Sequence, residues 1–193
     1  KAKLKKSPDS LHLLNYQAMA YSALKKDREA LQSYKGIIKK DPSLAGPYYN
    51  MGVILKRNER LEEAIDHYKK AISLKADYVQ AYNNLGVLYK DSEKYEDAIK
   101  MFMKAKELQP DHQNSYYNLA LIKKEQGLYD EAIEFLLTVL DLNSDHSEAN
   151  YLSWLIYSRL GQFTEGWKYF EYRWKVSPQN GVIWPIQDKP LWK

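Results

Sequence analysis

The chain has 193 residues, with 29 Lys and Arg against 25 Asp and Glu. A net charge of +4 disfavours nucleic acid as a partner and leaves acidic polypeptides open. With no cysteine, disulfides and thiolate metal sites are excluded; with no apolar run near the roughly 18 residues of a membrane span and no signal peptide at the start, a soluble, cytoplasmic protein is expected.

Pro8, Pro42, Pro110 and Pro178 stand on one ladder of 34 residues. A fixed period of this length signals a helix-turn-helix solenoid, in which each unit buries its apolar side against its neighbours. Lys1 to Ser10 aligns with the last ten places of a preceding unit, so residues 1–10 read as a remnant and further repeats are expected upstream. Five whole units follow, 11–44, 45–78, 79–112, 113–146 and 147–180. Their seventh and eighth places hold a large and then a small residue, Met51-Gly52, Leu85-Gly86 and Leu119-Ala120. The twentieth place holds Ala30, Ala64, Ala98, Ala132 and Gly166, and the twenty-fourth Tyr34, Tyr68, Phe102, Leu136 and Phe170. Small against large is what a tight helix pair requires.

The third unit predicts a helix over Val79–Asp91, a turn at Ser92-Glu93-Lys94 and a helix over Tyr95–Leu108. Tyr95, Ala98, Ile99, Phe102 and Ala105 line one face of the second helix. Gly127 and Gly161 sit in the corresponding turns, where a left-handed residue costs least. Proline closes a unit because it cannot extend a helix; Ala76 and Ser144 take that role at the other junctions. With 17 tyrosines against 4 phenylalanines, rings are expected to pack with their hydroxyls reaching solvent. The fifth unit drifts, with Leu152, Trp154, Gly166 and Arg173 at places that hold other residue types elsewhere. Residues 181–193, with Pro185 and Pro190 among apolar side chains, read as an extended tail or the start of a following domain.

This recurrence in register resembles the tetratricopeptide repeat, over residues 11–180. The resemblance implies an all-α, right-handed superhelical solenoid whose first helices line a concave groove with their places two, five, six, nine, twelve and thirteen. Asn50, Asn84 and Asn118 occupy the sixth place, similar to the asparagine ladder of O-linked N-acetylglucosamine transferase repeats. An amide donates and accepts, so such a row suits the backbone of an extended peptide; the alternative is that each amide braces a neighbouring helix. At the fifth place stand Tyr49, Tyr117 and Tyr151, with Asn83 and Asn15 in the remaining units. At the twelfth stand Lys56, Lys90 and Lys124, joined at the thirteenth by Arg57 and Arg159. That basic stripe either favours acidic segments or is an ordinary solvated face diluted by Asp91 and Glu125. The clamp that some such repeats place on a C-terminal carboxylate needs Asn at the ninth place. Here that place holds Met19, Val53, Val87, Leu121 and Leu155.

A second resemblance lies further on. Glu165-Gly166-Trp167, Tyr169, Glu171, Arg173 and Trp174, then Lys189-Pro190-Leu191-Trp192, are similar to the junction where bacterial tetratricopeptide repeats lead into a glycosyltransferase domain. It implies a larger parent enzyme whose catalytic part is outside this chain. Within the chain the eight glycines are scattered singly, so no phosphate-binding loop is present. His12, His67, His112 and His146 have no metal-ligand spacing, and the pairs Glu62-Glu63 and Asp130-Glu131 suit helix N-termini better than acid-base work. No catalytic residue, metal or cofactor is expected. The reading is a module that binds extended polypeptide in its groove. A free-standing, self-associating scaffold and a single-stranded RNA binder using tyrosines and lysines are the alternatives.

Overall fold

A computed structural model describes residues 8–170, without the side chains of residues 8–10. Ten helices are described: α1 (Pro8–Ala23), α2 (Asp27–Lys40), α3 (Ala45–Arg57), α4 (Leu61–Leu74), α5 (Val79–Asp91), α6 (Tyr95–Leu108), α7 (Gln113–Glu125), α8 (Tyr129–Leu142), α9 (Ser147–Arg159) and α10 (Phe163–Trp167). Among the described residues there is no strand. From α2 to α9 every boundary recurs at 34 residues, and α5 and α6 have the bounds that the third unit predicts. At the start, Pro8 opens α1 instead of standing ahead of it; its missing N–H costs nothing in a first helical turn. The expected remnant up to residue 7, the end of the fifth unit and the tail 181–193 lie outside the described residues.

Each pair closes through the same turn. In the first, the Lys26 N–H donates to the Tyr21 carbonyl at 2.9 Å and the Lys25 N–H to the Ser22 carbonyl at 3.1 Å, the two bonds that satisfy the last carbonyls of a helix ending in a left-handed residue. That residue is Gly127 or Gly161 in two turns, with φ of 75° and 71°, but Lys25, Glu59 and Glu93 in the others, with φ of 56°, 59° and 58°. Between units, Asp41, Lys75, Gln109 and Asn143 all adopt an extended conformation. Proline enforces this on the residue before it at Asp41 and Gln109. Lys75 and Asn143 adopt it ahead of Ala76 and Ser144, so proline reinforces the junction without being needed for it.

The helices form two compact units, Lys1–Ile122 and Lys123–Lys193. In the first, α1 packs on α2, α3 on α4 and α5 on α6, while α2–α3 and α4–α5 contacts join successive pairs. Its core holds Tyr34, Tyr68 and Phe102, with Ala30, Ala64 and Ala98 beside them, all buried. Gly52 and Gly86 face these rings. A Cβ on Gly52 would lie 2.7 Å from Tyr68 Cε1, and one on Gly86 2.7 Å from Phe102 Cε1.

In the second unit α8 packs on α9 and α9 on α10, around Leu136, Val139, Leu152 and Ile156. The eighth place is now Trp154, whose ring meets Phe170 edge-on at 5.6 Å. At the twentieth place glycine replaces alanine, and a Cβ on Gly166 would lie 3.0 Å from Tyr157 Cβ.

Candidate functional site

On α3, α5 and α7 the residues that pack on neighbouring helices are buried, and a face of partly exposed residues remains. On α3 this face is Gly46, Tyr49, Asn50, Val53 and Lys56, with Arg57 exposed beside them. Asn84, Val87 and Lys90 continue it on α5, and Tyr117, Asn118 and Leu121 on α7. They stand at places that the repeat resemblance assigns to a groove, but Asn83, at the fifth place of α5, is buried.

The asparagine row is bonded within the fold. Asn84 Nδ2 donates to the Tyr49 hydroxyl at 3.2 Å and to the Tyr68 hydroxyl at 3.5 Å. Asn50 hydrogen-bonds the Tyr34 hydroxyl. A sixth-place amide therefore meets the twenty-fourth-place tyrosine of the preceding repeat. Where that residue is Phe102, Asn118 Nδ2 donates instead to the Asn114 carbonyl at 2.8 Å and to Asn83 Oδ1 at 3.4 Å. The amide nitrogen of Asn84 thus bonds neighbouring helices, while that of Asn118 bonds both its own helix and α5. For Tyr34 and Tyr68 this bonding also corrects the expectation that hydroxyls reach solvent, because both are buried and their hydroxyls end on amides, not in water. Burial pushes the Tyr34, Tyr49 and Tyr68 phenols up, against the pull of the asparagine donors. Tyr78 stands 4.9 Å from Tyr49, ring to ring; burial, with those neighbours, pushes it up to about 12.

The basic stripe is largely paired. Lys90 Nζ lies 2.7 Å from Asp91 Oδ1 and Lys124 Nζ 2.8 Å from Glu125 Oε1. Arg57 binds Asp27 through its guanidinium and reaches the Ser22 carbonyl at 3.3 Å, tying α3 to the preceding turn. Burial raises the Asp27 carboxyl, but the hydrogen bonds from Arg57 and Asn58 outweigh it and hold the group below the usual range. In the second unit, Tyr151 packs 5.7 Å from Trp154, so it leads into the aromatic cluster of α9 and α10. Arg159 lies 5.5 Å over the Tyr129 ring.

His67 lies within α4, whereas His112 and His146 stand just before α7 and α9. His67 Nδ1 bonds the Glu63 carbonyl at 2.9 Å, His112 Nδ1 bonds Ser115 Oγ at 2.8 Å, and His146 Nδ1 accepts from the Ala149 N–H at 3.3 Å. Burial lowers the His112 pKa, opposed by Asp111. Among the described residues no group of three or more His, Cys, Asp or Glu could hold a metal ion, and no helix is long and apolar enough to cross a membrane. Reading the sequence one row at a time overlooked Tyr34, Tyr68 and Asp27 as partners. The signal was there as Asn50 and Asn84 falling 16 residues after Tyr34 and Tyr68.

Tetratricopeptide-repeat family models match residues 16–43, 57–92 and 77–145. Tetratricopeptide repeats build this chain. Solved structures share the fold. A crystal structure of MamA aligns with a TM-score of 0.74 at 23% identity, over 82% of this chain and 92% of that one. PilF of Pseudomonas aeruginosa aligns with a TM-score of 0.81 at 18% identity, over 89% and 78%. YrrB, described as a TPR protein with an unusual peptide-binding site, aligns at 0.68 with 20% identity, over 86% of each chain. No curated protein sequence matches the chain.

Proposed function

We propose that this tetratricopeptide array is a protein-interaction module that holds an extended polypeptide along the face of α3, α5 and α7. The observation that carries the reading is the continuity of that face: Asn84 to Tyr49 and Asn118 to Asn83 link each helix to the one before it. A strip of phenols, amides and aliphatic side chains, left over after the repeats have packed, suits a chain that offers backbone amides and small side chains in alternation. The peptide-binding site of YrrB is a precedent for the fold. Binding would be weak per residue and summed along the strip.

Two glycines test this cleanly, because a Cβ on Gly46 or Gly36 would meet nothing within 4 Å. Gly46 is on the proposed strip and Gly36 is exposed on α2. Gly46→Trp is expected to weaken binding of peptides selected from a synthetic library by about tenfold or more, a loss of about 1.4 kcal/mol, while Gly36→Trp leaves it unchanged. Equal affinity for both variants would remove the strip from the mechanism.

The junction-like run from Glu165 onward supports a second, broader reading, in which the array is the recognition arm of a glycosyltransferase. Only its first residues are described, and there Gly166 stands where the other repeats hold Ala30, Ala64, Ala98 and Ala132. A nucleotide-sugar-binding domain encoded after Lys193 in the parent gene would support it; a parent that ends in repeats favours a free-standing scaffold.

A further inference from the structure

Resting on the proposed groove, we infer that its partner is an extended segment with aliphatic residues at alternate positions and little charge, not an acidic one. Between the amide row and the lysines runs the ninth-place row, Val53, Val87 and Leu121, each partly exposed. Side-chain hydrogen bonds join α5 to α3 and α7 to α5 beside it, so the row repeats one aliphatic place on three linked helices. Two of the cations beside it are poorly placed to select acid. Lys90 already holds Asp91, and Arg57 is held by Asp27 and Ser22. A ligand carboxylate would have to displace these partners, gaining little beyond what it broke.

An aliphatic side chain displaces nothing but water from Val53, Val87 and Leu121, and the gain grows with the area covered. In an extended ligand every second side chain points to one face. That face meets the aliphatic line while the ligand backbone runs beside the amide carbonyls of Asn50, Asn84 and Asn118. Amides read a backbone without regard to charge, so selection falls to the aliphatic row.

The test uses the full chain and two short labelled peptides, one alternating Val or Leu with Ser or Gln, the other with Asp in place of the aliphatic residues. Fluorescence anisotropy at low and high salt is expected to show the aliphatic peptide binding about tenfold tighter, with affinity changing less than about twofold with salt. Val87→Ser should weaken it about tenfold, and Lys90→Gln should leave it within about twofold. If Val87→Ser lowers the thermal midpoint, Val87→Thr keeps the branched shape and should still weaken binding. Preference for the acidic peptide, lost with salt and in Lys90→Gln, overturns the aliphatic selection and leaves the groove standing. Binding of neither peptide, or binding that Gly46→Trp does not touch, overturns both.

Discussion

In the second and third repeats a glycine of the first helix admits a ring of the second, whereas in the fifth repeat a ring meets a ring. Gly52 and Gly86 let Tyr68 and Phe102 lie against the backbone, and both rings are fully buried. In the fifth, Trp154 fills that place and turns its edge to Phe170, which stacks on Trp167 at 4.4 Å. Trp167 is 57% exposed and Phe163 67%. One period thus carries two packing solutions. The first hides its aromatic surface inside the pair, and the second displays part of it.

The first solution depends on those glycines more than on any other small residue. Gly86→Ala should destabilise the protein by about 1–3 kcal/mol, because the new methyl must displace a buried ring. Gly46→Ala, with open space around it, should be neutral or stabilise by up to about 1 kcal/mol. Equal denaturant midpoints for the two variants would show that the ring can move aside and that the repeats differ less than their packing indicates.

An effect of similar size separates the repeats by their amides. Asn84→Ala strands the buried Tyr68 hydroxyl, at a cost of about 1–3 kcal/mol. Adding Tyr68→Phe should recover most of the loss in a double-mutant cycle. Asn118, whose twenty-fourth-place neighbour is Phe102, should show no such rescue partner and a smaller loss when changed to Ala.

The smallest effect lies in the turns, where the first three repeats place Lys25, Glu59 and Glu93 in the left-handed region and the last two use glycine. Glu93→Gly relieves a strain of about 1 kcal/mol at some cost in unfolded-chain entropy, so a slight rise in thermal midpoint is expected. Gly127→Ala should lower it by a similar amount. A fall for both would mean that side chains at these turns contribute more than the backbone does.

Much of the fold was legible in single residues. The proline ladder, the Gly52 and Gly86 positions and the run of Ala30, Ala64 and Ala98 placed the helix pairs, since steric exclusion at a repeated place acts locally and shows in the residue itself. The left-handed Lys25, Glu59 and Glu93 did not show, because their turns are imposed by the helices on either side and any L-residue can be held there at modest cost. The groove rows were legible as rows, but the partners of their polar ends were not. Asn84 could have faced a ligand or a tyrosine, and the composition of its own helix is the same in either case.

By itself the sequence determined the period, the all-helical class and the bounds of the helix pairs, because these follow from local sterics and from apolar residues recurring at fixed spacing. Only the tertiary structure decided what Asn84 and Arg57 are bonded to, since those bonds link residues brought together by packing between repeats. Those bonds hold the amide nitrogen of Asn84 and the guanidinium of Arg57 within the fold, while Val53, Val87 and Leu121 stay partly exposed beside them.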